Sequence, residues 1–80
     1  MRSGGFADMT TSRFEVFNVE TGEAVQTWAF PVPEIAPRYR RQAFAHARQY
    51  VLDYSRMPYG IRLWERGNPV PTIVYSPHNL

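Results

Sequence analysis

The groups that could do chemistry in this 80-residue chain are nine arginines, seven carboxylates and two histidines. There is no cysteine and no lysine, which removes thiolate nucleophiles, disulfides, Schiff-base amines and phosphate-loop lysines. The carboxylates Glu15, Glu20, Glu23, Glu34, Asp53 and Glu65 fall on turns and outward strand positions, the pattern of solvated surface charge. No serine sits in a nucleophile elbow and no glycine-rich loop could cradle phosphate. His46 has Gln42, Ala43, Gln49 and Tyr50 at the positions where a helix would place a second metal ligand, so it reads as a surface histidine. The expectation is a chain without catalytic residues, metal or cofactor.

The arginines are distributed unevenly. Residues 37–56 hold five of them against one aspartate, leaving four arginines and six carboxylates elsewhere, so a formal charge of only +2 conceals a basic segment on a more acidic body. That segment, PRYRRQAFAHARQYVLDYS (37–55), predicts the one helix of the chain. Ala43, Phe44, Ala47, Tyr50, Val51 and Tyr54 recur on an apolar stripe at the helical period. Arg38, Arg41 and Arg48 share another side, with Arg56 at the end and Arg40 near the edge of the stripe. Leu52 is the one large apolar residue on the polar side. Pro37 suits a first turn, and Met57-Pro58 forces an end.

Two hairpins flank this helix. RFEVFNVETGEAVQTWAF reads as two strands around a turn at residues 20–22, pairing Phe14 with Trp28, Val16 with Gln26 and Phe17 with Val25. The prolines of FPVPEIAP make a stiff connector, with room for a turn at residues 34–36. After the helix, YGIRLWERG is a third strand, Gly67-Asn68-Pro69 a turn, and PTIVYS a fourth strand placed at an edge by Pro69 and Pro71. The predicted fold is α+β, ββαββ, one helix packed on a mostly antiparallel four-stranded sheet. Residues 1–11 are expected to form a flexible arm, with Phe6 able to cover the sheet, 12–76 the single domain and 77–80 a tail.

By strand parity the inner face collects Phe14, Val16, Trp28, Phe30, Ile61, Leu63, Ile73 and Tyr75 against Phe44, Ala47, Val51 and Tyr54. The outer face then carries Arg13, Phe17, Val25, Arg62, Trp64, Arg66 and Val74, more aromatic than a face meant only for water. No apolar run approaches the ~20 residues that span a bilayer, and no signal-peptide core is present, so no membrane contact and a cytoplasmic setting are expected.

Two binding surfaces follow: the helix side of Arg38, Arg41, Arg48, Leu52 and Arg56, and the outer sheet face of Phe17, Arg62, Trp64 and Arg66. Aromatics and arginine with little lysine are the mixture found at interface centres, so a protein partner is the favoured reading, with an acidic surface suited to the helix. Nucleic acid is the alternative, with arginines on phosphates and Phe17 and Trp64 stacked on unpaired bases. A homodimer closed through the sheet face, or a structural subunit of a larger assembly, is the third.

The FNVETGEAV hairpin, the basic alanine-rich helix RRQAFAHARQYV and the use of arginine without lysine give residues 12–76 a look that resembles small orphan proteins encoded by bacteriophages and mobile elements of GC-rich bacteria. The resemblance implies an inhibitor or adaptor that acts by holding a host enzyme, a defence complex or nucleic acid.

Overall fold

The computed structural model describes residues 11–31 and 37–77. The expectations for the arm, for the turn at 34–36 and for the tail fall largely outside these residues. Four strands and a helix follow in the order β1 (Thr11–Asn18), β2 (Ala24–Pro31), α1 (Pro37–Asp53), β3 (Tyr59–Trp64) and β4 (Thr72–Tyr75). The strands form one antiparallel sheet in the order β2-β1-β3-β4, with α1 packed on one face, an α+β fold of ββαββ topology.

Connectivity explains where the helix lies. It leaves β2 at one edge and must deliver the chain to β3 on the far side of β1, so it crosses β1 and packs chiefly on β2 and β1, less on β3. Beneath it the core joins Phe14, Val16, Phe30, Ile61 and Leu63 to Ala43 and Ala47. Alanine at 43 and 47 lets the helix backbone approach the strands, and Phe14 packs between the rings of Phe30 and Phe44, each at 5.2 Å.

The first hairpin turns on Asn18, whose Oδ1 accepts the amides of Glu20 at 2.8 Å and Thr21 at 3.1 Å, while Gly22 takes the left-handed conformation at φ 82°. Its register matches the pairing of Phe14 with Trp28 and of Val16 with Gln26, then shifts, so that Phe17 faces Ala24 and not Val25. The bulge turns Val25 inward against the core, correcting its expected outer-face position. A second shift repeats the effect between β3 and β4. Ile61 faces Tyr75 and Arg62 faces Ile73, which leaves Val74 as the extra residue. Val74 therefore lines the helix side, and Ile73 joins Arg62 on the outer face, the reverse of the parity expectation.

The helix ends at Asp53, two residues before the expected limit. Tyr54, expected in the core stripe, lies beyond it, is 50% exposed and packs its ring, tilted, against that of Tyr50 at 4.6 Å. Trp28 and Tyr59 complete this aromatic group around Tyr50. Desolvation raises the Tyr50 hydroxyl above its ordinary pKa of 10.0, with Tyr54 and Tyr59 adding to the effect.

Candidate functional site

The two surfaces marked by the sequence meet different fates. On the outer sheet face, β1 lies between β2 and β3, so Arg13 stands opposite Trp64, Glu15 opposite Arg62 and Phe17 opposite Gly60. Glu15, expected as surface charge, is instead only 6% exposed. One of its oxygens accepts hydrogen bonds from Arg62 Nε and from Trp64 Nε1, the latter at 2.9 Å. Arg62 also reaches the Gly22 carbonyl at 3.2 Å and lays its guanidinium 4.4 Å from the centre of the Phe17 ring. Arg13 sits over Trp64 at 5.0 Å. These cation–π contacts and the part-buried ion pair close the face upon itself.

Phe17, expected to be available to a partner, is 7% exposed, and Arg62 and Trp64 are half-buried. Gly60 makes this closure possible, because a Cβ there would meet the Tyr75 carbonyl oxygen at 2.7 Å and the Phe17 ring at 3.1 Å. Arg66 stays exposed at the end of β3, its amide donating to Ser12 Oγ at 3.2 Å. The role of Glu15 was hidden because it depends on β1 being paired with β3, a long-range contact that periodicity does not report. The available signal was its shared parity with Arg13 and Phe17.

The helix side is open. Because α1 leans toward β2, its opposite shoulder, carrying Arg41, Arg48 and Leu52, overhangs the half of the sheet where β4 lies. A groove of about 170 Å³ runs between them, lined by Phe44, Arg48, Val51, Leu52, Ile61, Val74 and Tyr75. Phe44 and Val74 also line its continuation toward the start of α1, where Arg40 and Arg41 stand beside Phe14. Leu52 is 58% exposed, and Val74 and Tyr75 are 38% exposed each. Thus Leu52, the residue out of place in the helical pattern, is one wall of a groove.

The predicted arginines are brought together only in part. Arg40, Arg41 and Arg48 follow the groove, Arg38 lies against the ring of Tyr39 at 5.2 Å, and Arg56 is exposed in the turn after the helix. Asp53, the helix's one carboxylate, accepts a hydrogen bond from Gln49 Nε2 at 2.8 Å. Among the described residues no carboxylate forms an ion pair with Arg40, Arg41 or Arg48.

On the other side of α1 a wide cleft against β2 is lined by Trp28, Tyr39, Gln42 and His46 among others. Among the described residues no three His, Cys, Asp or Glu side chains are grouped to hold a metal ion, and no helix is long and apolar enough to cross a membrane. Comparisons of the chain with protein-family models, curated proteins and solved structures find no match.

Proposed function

We propose that this chain is a small non-catalytic protein-binding module, an inhibitor or adaptor of the kind its phage-like sequence style implies, acting in a reducing cytoplasmic setting. The observation that carries the reading is the groove between α1 and β4, where a leucine 58% exposed stands with valine and tyrosine under a rim of arginines. Apolar residues exposed together and rimmed by charge suit a partner surface better than water, and rigid aromatics with arginine supply both buried area and directed hydrogen bonds. The described carboxylates support the non-catalytic part: Glu15 is bound to Arg62 and Trp64, and Glu20, Glu23, Asp53 and Glu65 are exposed and dispersed.

Nucleic acid is the weaker reading. The helix arginines suit phosphates, but the rings that would stack on bases are occupied, Phe17 beneath Arg62 and Trp64 beneath Arg13. Affinity capture from nuclease-treated bacterial lysate, comparing the wild-type chain with Leu52→Glu, tests the choice. A protein retained by the wild type and lost by a variant of unchanged melting temperature supports the module. Nucleic acid alone, released by moderate salt, overturns it. A stable oligomer of the purified chain, seen by light scattering before any capture, would favour the structural-subunit alternative.

A further inference from the structure

β4 is an edge strand: its neighbour is β3 on one side, and no described strand lies on the other. All four of its residues are exposed, so its free edge is accessible to an incoming chain. Edges are ordinarily guarded by charge or proline. Here Pro71 guards only the entry, and the stretch Val70–Tyr75 contains no charged residue. The free edge borders the groove, where Leu52, Val74 and Tyr75 would receive side chains from a strand laid beside β4. Above it stand Arg41 and Arg48, and no residue lining the groove or its continuation is acidic. A second copy would present the same basic groove lining, which holds no carboxylate, so the occupant is a different chain of opposite charge.

We propose that β4 accepts an extended segment of a partner protein as a fifth strand, apolar at its centre and carrying carboxylates on its flanks. Main-chain hydrogen bonds to the β4 edge hold the segment, alternate side chains enter the groove, and the flanking carboxylates meet Arg41 and Arg48. The proposal rests on the protein-binding reading and gives it a partner chemistry.

The probe is a synthetic peptide of about nine residues, long enough at ~3.4 Å per residue to run past β4, with a central Val-Thr-Val-Thr-Val and two glutamates on each flank. A twin carries lysines in their place. Titrated into the 80-residue chain and followed by backbone amide NMR, the glutamate peptide is expected to shift Thr72–Tyr75 and Leu52. The lysine twin should bind about tenfold more weakly or worse, and Arg48→Glu should reverse the order. Since a strand pairs through every second amide, N-methylation of one alternate set in the peptide should abolish binding while the other set is tolerated. A docked helix would be lost with either set.

Equal affinity for both peptides, binding by neither, insensitivity to the methylated set, or a dimer whose β4 amides are already protected would each overturn strand addition. If both peptides fail while Leu52→Glu still loses a captured protein, strand addition falls and the protein-binding reading stands. If no capture depends on Leu52, both fall.

Discussion

The outer sheet face and the groove beside β4 are made of the same materials, arginines among aromatic and aliphatic side chains, yet one is closed and the other open. On the outer face Arg13 and Arg62 each have an answer from within the chain, and only Arg66, past the end of β3, stays exposed. Arg62 holds Glu15 and covers Phe17, and Arg13 covers Trp64. In the groove Arg41 and Arg48 stand over Leu52 and Val74 without a described carboxylate partner. Composition alone does not mark a binding surface. What separates the two regions is the carboxylate that strand pairing delivers to the first and not to the second.

Breaking the closed face should have the largest effect. Glu15→Ala leaves the Arg62 guanidinium and the Trp64 indole N–H without their acceptor, and the loss should approach 3 kcal/mol, tempered by the partial exposure of Arg62. Urea denaturation measures it, and a change below about 0.5 kcal/mol, the ordinary range of surface substitutions, would mean that the outer face is no more closed than the groove. Gly60→Ala should follow at about 2 kcal/mol, because the new methyl meets backbone at the Tyr75 oxygen and not a flexible side chain. Its melting curve should fall, and amide exchange should quicken first in β4.

The open region should respond in the opposite sense. Leu52→Glu should alter stability by no more than about 0.5 kcal/mol while removing the binding assigned to the groove. A loss of folding would make Leu52 part of the core. The smallest effect belongs to the aromatic group at the end of α1. The raised pKa of Tyr50 means that the unfolded chain releases this proton first as pH climbs past 10.0. Stability linked to the neutral ring is thus complete below that pH and declines as the pH rises toward the folded-state value. Tyr50→Phe has no proton to lose, so its alkaline unfolding curve should fall less steeply above pH 10.0 than that of the wild type.

Local rules reached far into the fold. Apolar spacing places the helix, β-branched and aromatic runs place the strands, and Gly22 and Gly67, both at positive φ, sit in the two stretches of turn chemistry. The same pattern singled out Leu52. It misplaced Val25, Ile73 and Val74, because Val25 and Val74 are the extra residues at the two register shifts, and the one at Val74 separates Ile73 from Tyr75 and exchanges its face. It also left Glu15 among surface charges, because the arginine and tryptophan that bury it are 47 and 49 residues away.

By itself the sequence determined that part of one sheet face would be left uncovered. A helix about 10–12 Å wide cannot roof four strands spaced about 4.8 Å apart, and this chain contains pattern for one such helix and four strands. Which part stays open was decided only by the tertiary structure. Pairing β1 between β2 and β3 obliges the crossover helix to lie over β1, and that long-range choice strands β4 at the edge with its valine and tyrosine beside the arginine shoulder. The residues of the groove are local facts of sequence. Their meeting depends on strand order, which arises from the competition of whole strands for partners and leaves no mark in any short window of residues.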